Sequence, residues 1–337
     1  MGAEFSMVIW SEFDEGAVAW DAAMERLAGV TLYQIYAWGE ARSALGWKPV
    51  RLVARDEKQN IVALVQGLAR RAGPGVSLCW IPGGPAGAVE VCGAELRAAL
   101  LRAVGTAWLY CRMNALRPSQ ADDVGSLVTR GWKRPWHLLT TGLSLSYDLR
   151  PDEVARRAAA SGNWRHNLRR SDKYGLVVTR WNEPVAEEIS TIYRDMEALK
   201  GLEQQHSLEE IRAMLNTLGD RLILFRCRDA SGTTIALRGC GYFGAQAWDL
   251  LAAAAPAARK VYASHAILWA ITEECRRLGV ENYDLSGVDP IGNKGVYDFK
   301  KGTGAAHQQY LGEWEWSNLP GLRWAANLAM RFRKGGL

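Results

Sequence analysis

Residues 48–56 carry apolar positions suited to a strand, Glu57-Lys58-Gln59-Asn60 is a polar turn, and the mostly apolar residues 61–70 read as a second strand. This pattern predicts a hairpin. Residues 76–81 read as a third strand, and a Gly-Pro loop follows over residues 82–87. The period then changes to that of a helix over residues 91–104, where Leu96, Leu100 and Val104 share one face at i, i+4 and i+8. Residues 107–113 form the strand that ends the run.

The second half repeats this order. Residues 221–228 and 234–243 predict strands around the turn Asp229-Ala230-Ser231-Gly232, and residues 246–253 a third strand. A helix is expected over residues 262–278, with Ile267, Ile271, Cys275 and Leu278 on one face and Gly279 as its stop. Residues 282–286 supply the next strand. A hairpin, a third strand, a crossover helix and a parallel strand make up the core order of the N-acyltransferase (GNAT) fold. Two copies predict an α/β protein with mixed sheets, built as two tandem GNAT-like domains. The expected boundaries are residues 7–150 for the first domain, 151–319 for the second with its basic linker helices, and 320–337 for a C-terminal amphipathic helix.

Between the copies, residues 140–149 alternate like an edge strand. Pro151-Asp152-Glu153 opens a helix, as Pro and acids do in a first turn. Further helices are expected over residues 163–173, 183–199 and 207–218.

Composition adds bounds. The 337 residues suit two domains. The six cysteines (Cys79, Cys92, Cys111, Cys227, Cys240 and Cys275) form no CxxC pair and several fall in apolar runs. They read as buried thiols of a reducing cytoplasm. No apolar run reaches the ~18 residues of a spanning helix, and no secretory signal is visible. Residues 1–6 carry no fold information. The net charge of +5 permits contact with nucleic acid without arguing for it, while 15 tryptophans suggest stacking surfaces as well as core. The five histidines lack ligand spacing, so no metal is expected, and no cofactor is implied.

Three stretches carry a resemblance to a known family. The first is Tyr36-Ala37-Trp38-Gly39-Glu40-Ala41-Arg42, followed by Gly46-Trp47-Lys48-Pro49-Val50. The second is the basic run Asn163-Trp164-Arg165-His166-Asn167-Leu168-Arg169-Arg170-Ser171-Asp172-Lys173-Tyr174-Gly175. The third is Tyr283-Asp284-Leu285-Ser286-Gly287 with Gly295-Val296-Tyr297-Asp298-Phe299-Lys300-Lys301-Gly302. Together, and in this order, they resemble the FemABX family of aminoacyl-tRNA-dependent transferases, which add amino acids to peptidoglycan precursors in cell-wall biogenesis. The coiled-coil insertion of some members has no counterpart, so the resemblance is to the compact type.

The resemblance implies a reaction and roles for residues. Aminoacyl transfer from an ester to an amine passes through a tetrahedral oxyanion, which a fixed cation stabilises. Lys300 matches the family residue in that role, beside Phe299, and Lys301 is its competitor by a one-residue slip. Asp284, at the end of a predicted strand, reads either as the group that orients or deprotonates the amine or as the cap of the turn through Ser286-Gly287. Residues 156–180 hold seven basic side chains and one acid, Asp172. Such density suits a phosphate chain or a solvated helix face, with Arg165 and Arg169 on one face. Arg42 is the nearest match to a family residue that holds a diphosphate, and Trp38, Tyr262, Tyr297 and Lys301 complete the expected substrate contacts. A second family Arg is missing, because Leu202-Glu203-Gln204-Gln205-His206-Ser207 has none. The acceptor is therefore left open among a peptidoglycan precursor, an amino-sugar of a surface polysaccharide and a peptide.

Two other readings stand beside this one. An acyl-CoA-dependent N-acyltransferase would need glycines where the helix over residues 262–278 begins, so that backbone could approach a pyrophosphate. Arg259-Lys260-Val261-Tyr262-Ala263-Ser264 puts Tyr262 where the first glycine should be. A non-catalytic double-GNAT binding protein is the other, against which the retained Phe299-Lys300 pair counts. The last helix, over residues 320–334, either packs on a domain or lies on an anionic membrane surface, which would make a cytoplasmic protein peripheral at the inner membrane face.

Overall fold

In a computed structural model, residues 8–201 and 203–332 are described. They form two compact units, one of residues up to 142 with the segment from 309 onward, the other of residues 143–308.

The first unit opens with β1 (Ile9–Glu12), α1 (Gly16–Met24) and α2 (Tyr36–Ser43). The expected hairpin and third strand follow as β2 (Lys48–Arg55), β3 (Ile61–Gly73) and β4 (Val76–Pro82), with β5 (Ala86–Gly87) paired to β3. The crossover helix is α3 (Ala94–Val104), and β6 (Trp108–Pro118) runs parallel to β4 before α4 (Ala121–Thr129). Leu96 and Leu100 of α3 are fully buried against Leu52, Val65, Ile81 and Cys111 of the strands. Burial of each such side chain contributes roughly 1.5–3 kcal/mol.

The second unit begins with β7 (Leu143–Asp148) and the helices α5 (Glu153–Ala159) and α6 (Gly162–Ser171). After β8 (Val177–Arg180) come α7 (Ala186–Lys200) and α8 (Leu208–Leu218). Helix α7 starts later than the expected residue 183 because Pro184 disfavours helical backbone in the residue before it. The repeat then appears as β9 (Leu222–Arg228), β10 (Thr234–Phe243) and β11 (Gln246–Ala254). Helices α9 (Pro256–Lys260) and α10 (Ala263–Arg277) lead to β12 (Asn282–Asp284), parallel to β11. Ile267, Ile271 and Cys275 bury the inner face of α10 against Ile223, Cys227, Cys240 and Tyr283. Helix α11 (Lys294–Lys301) closes the unit.

The long strand β13 (Ala306–Ser317) and α12 (Pro320–Phe332) follow. In the first unit the sheet order is β1-β2-β3-β4-β6-β13, and in the second it is β7-β12-β11-β10-β9-β8. Each unit thus sets a final antiparallel strand beside its parallel one: β13 on β6 and β7 on β12. That strand arrives from downstream in the first unit and from upstream in the second. The units therefore divide the chain at 142 and 309, where the sequence suggests cuts at 150 and 319. All six cysteines are buried free thiols.

Candidate active site

Lys300 lies in the last turn of α11 and is buried. Its Nζ faces the carbonyl oxygens of Ser286 at 3.5 Å and Gly287 at 3.4 Å, in the loop that leaves β12. The loop holds its shape by side-chain bonds. Ser286 N donates to Asp284 Oδ1 at 2.7 Å, and the Ser286 hydroxyl donates to the Asp249 carbonyl. These bonds hold Ser286 at φ +62°, an uncommon backbone region for a residue with a Cβ. The end of α11 is fixed as well: Thr303 Oγ1 donates to the Lys300 carbonyl at 2.7 Å. The glycine of Phe299-Lys300-Lys301-Gly302 has a steric reason, since a Cβ on Gly302 would meet Trp164 Cδ1 at 2.9 Å.

A buried polar network lies close to Lys300. Arg238 of β10 donates to Asp249 of β11 at 2.6 Å, and the Tyr283 hydroxyl donates to the other Asp249 oxygen at 3.0 Å. Burial pulls the Lys300 ammonium below the ordinary lysine range; the charges of Asp249 and Asp284 oppose this shift, and Arg238 adds to it. Burial, then the Asp249 charge, pushes the Tyr283 phenol well above its usual value, so it acts as a neutral donor. Arg238 and Asp249 carry no recognisable motif in the sequence. Their only signal is a charge inside each of two otherwise apolar strands.

Aromatic rings run from the basic helix towards Lys300. The Arg170 guanidinium of α6 stands 4.6 Å over the Tyr262 ring, and Tyr262 meets His265 at 6.1 Å between centroids. His265 in turn packs on Phe299 at 5.0 Å and on Trp164 at 5.3 Å. Burial pushes the His265 imidazole down to about 4, so it is neutral at pH 7. Its Nδ1 and the Trp164 Nε1 are buried and find no hydrogen-bond partner among the described residues. Unpaired buried groups are rare in folded proteins. Sequence reading passed over His265, because a lone histidine on a helix has no motif. Tyr262 holds φ +60° at the start of α10. The backbone has the conformation that a glycine would give there, but a ring occupies the place.

The remaining candidates fall as follows. Asp284 is buried, and its Oδ1 accepts from Ser144 as well as from Ser286 N, which is the turn-shaping alternative. Arg165 turns its guanidinium onto the Ala158 and Ala160 carbonyls at 2.8 Å and so caps α5, while Arg169 is exposed on α6. Lys301 is exposed and donates to the Ala305 carbonyl at 3.1 Å. Tyr297 bonds His307 at 2.8 Å and stacks on it. Phe299, Lys300, Asp284 and Tyr262 thus belong to one constellation in the second unit. Trp38 and Arg42 belong to the first unit, where Arg42 stands 4.9 Å over the buried Trp38 ring. The glycine that follows Trp38 lets α2 approach β3, since a Cβ on Gly39 would meet Gln66 Oε1 at 2.3 Å.

Two tandem GNAT-like folds, the second with a buried lysine in the loop and helix after its parallel strand, give the chain a double-GNAT fold. The model of the FemAB family matches residues 228–331, which include the Lys300 segment. Over this segment the chain is similar to the FemAB family. Among solved structures, that of FemX is 14% identical, covers 94% of this chain and 100% of its own, and has a TM-score of 0.81. L-PGS from Bacillus licheniformis is 14% identical over 96% of this chain and 99% of its own, at a TM-score of 0.56. A tandem GNAT protein from the clavulanic acid biosynthesis pathway is 11% identical over 93% and 99%, also at 0.56. At such identities these likenesses speak for the fold. No curated protein matches the sequence significantly.

Proposed function

We propose that the chain moves an amino acid from aminoacyl-tRNA onto an amine of a cell-envelope precursor, a surface polysaccharide or a peptide. Lys300 supplies the cation at the tetrahedral oxyanion. The observation that carries this reading is the buried ammonium, held at 3.4 and 3.5 Å by two backbone carbonyls. Such long contacts leave the ammonium free to turn to an oxyanion arriving beside it, where burial strengthens the interaction. The neutral amine attacks the ester carbonyl to form the C–N bond, and the negative charge passes to the carbonyl oxygen facing Lys300. The intermediate then collapses, the C–O ester bond breaks, and the proton lost by the amine goes to the tRNA 3′ oxygen, which leaves as an alcohol.

Phe299 lines the approach to Lys300, and Asp284 sets the Ser286-Gly287 turn that faces it. Tyr262, with Arg170 over its ring, offers a flat cationic surface to the RNA end, and Arg169 a phosphate contact. The Tyr262 ring stands where a pyrophosphate loop would need glycine, which supports tRNA over coenzyme A as donor. Arg42 and Trp38 serve the acceptor. The protein works in the cytoplasm, where charged tRNA is made, and touches the membrane peripherally; no helix among the described residues is long and apolar enough to cross one. Incubation with a pool of radiolabelled aminoacyl-tRNAs and candidate amines tests the reading. Label should pass to an amine only with enzyme and intact tRNA. Turnover with acetyl-CoA in its place would reverse the assignment.

A further inference from the structure

Helix α12 turns two polar side chains, Arg323 and Asn327, inward beside Leu322, Ala326 and Met330. Asn327 is buried, and its amide nitrogen donates to Glu315 Oε2 at 2.7 Å. Arg323, one turn earlier, binds the other Glu315 oxygen at 2.6 Å, and Glu315 is completely buried. The opposite side of the helix carries Trp324, which is 57% exposed, and Leu328, at 38%. A helix that served only to cover a core would not leave these two large apolar side chains exposed. A second segment extends this outward apolar face. Asn327 Oδ1 accepts from the backbone nitrogens of Trp136 at 3.0 Å and His137 at 3.2 Å, which holds that loop against α12. Trp136 is 65% exposed and Leu138 54%. Two indoles and two leucines therefore lie open on two neighbouring segments of the first unit.

The two segments themselves carry charge of one sign. Among the described residues, 130–142 and 318–332 contain no Asp or Glu, and they include the exposed Arg130, Lys133 and Arg331. Exposed tryptophans on segments that also carry basic residues suit the headgroup level of an anionic bilayer, where the indole is apolar on its body and polar at its N–H. Docking two copies through this face would set basic segments against basic segments, which disfavours a dimer here.

We propose that Trp136, Leu138, Trp324 and Leu328 form a docking face for an anionic lipid surface. The proposal gives a location to the peripheral contact stated above and is independent of the role of Lys300. Loop and helix enter the headgroup region together, because Asn327 ties them. The basic side chains gather anionic lipid and the apolar ones hold the protein there.

Co-sedimentation of the full-length protein with vesicles of phosphatidylcholine and phosphatidylglycerol, against phosphatidylcholine alone, tests it. Binding should require the anionic lipid and weaken with salt. Trp136→Ser/Trp324→Ser should lower vesicle affinity at least about tenfold, as expected for loss of buried apolar surface. Circular dichroism should show the variant folded, since both side chains are exposed, and its transfer of amino acid to a water-soluble amine should be unchanged. Absence of vesicle binding at low ionic strength would overturn the proposal. So would equal binding by the folded variant, or a dimer in sedimentation velocity that the two substitutions abolish.

Discussion

Arg238 Nη2 donates to Asp249 Oδ2 at 2.6 Å, and both side chains are almost wholly buried. Removing one member of such a pair leaves the other charge uncompensated, at a cost of about 3–5 kcal/mol. Asp249→Asn should therefore lower stability by that order in urea unfolding. The double variant Arg238→Met/Asp249→Leu should recover much of the loss, because no buried charge is stranded. If the double variant is as unstable as the single one, the pair matters for its packing and not its charge.

Lys300 must be protonated to face an oxyanion, and burial lowers its affinity for the proton. Activity should therefore fall as pH rises, starting below the ordinary lysine value of about 10.4. Lys300→Arg should keep part of the rate and lose this alkaline limb, since a guanidinium holds its proton throughout. A profile of kcat/KM against pH for the two enzymes checks this. The same alkaline limb in both would assign it to another group.

His265 gives a stability effect in acid. Burial holds its folded pKa at about 4, below the ordinary histidine value of about 6.5. Between these values the unfolded chain binds more protons, so stability is full above about 6.5 and declines as pH falls towards 4. The loss should be on the order of 1–3 kcal/mol. His265→Phe should flatten this part of the stability curve, read from thermal midpoints across pH. An unchanged slope would mean that other groups account for the acid sensitivity.

Truncation at Gly321 should destabilise the first unit severely. It removes Arg323 and Asn327 and leaves the Glu315 carboxylate buried with only the Tyr110 hydroxyl among these partners. Glu315→Gln in the truncated chain should recover part of the loss in chemical denaturation. A truncated protein as stable as the full chain would contradict the inward polar packing of α12.

The repeated strand–helix order was legible in the sequence because each element buries one face, and burial imposes a period. Leu96 and Leu100, and Ile267, Ile271 and Cys275, gave the two crossover helices to within three residues at their ends. The eight residues of α11 carry mostly polar side chains and no such stripe, so the element that bears Lys300 was found by motif and not by pattern. The network behind it was not legible at all. Arg238 and Asp249 are 11 positions apart, and only the pairing of β10 with β11 makes them partners. The origin of each unit's final strand was hidden for a similar reason, since alternation in 140–149 shows a strand but not its neighbour. For α12 the sequence showed an amphipathic helix, and the structure shows Arg323 and Asn327 turned inward with Trp324 and Leu328 left exposed.

The central claim is that the Lys300 ammonium stabilises the transition state of aminoacyl transfer. Single-turnover transfer of a labelled amino acid from tRNA, compared among wild type, Lys300→Met and Lys301→Met, tests it most directly. Lys300→Met should lose about 10²–10³ in rate. It should unfold no more easily than wild type, because it removes a buried charge held only by weak bonds. Lys301→Met should stay near the wild-type rate, since its ammonium is exposed and bonds a backbone carbonyl. A folded Lys300→Met enzyme that transfers at the wild-type rate would contradict the account.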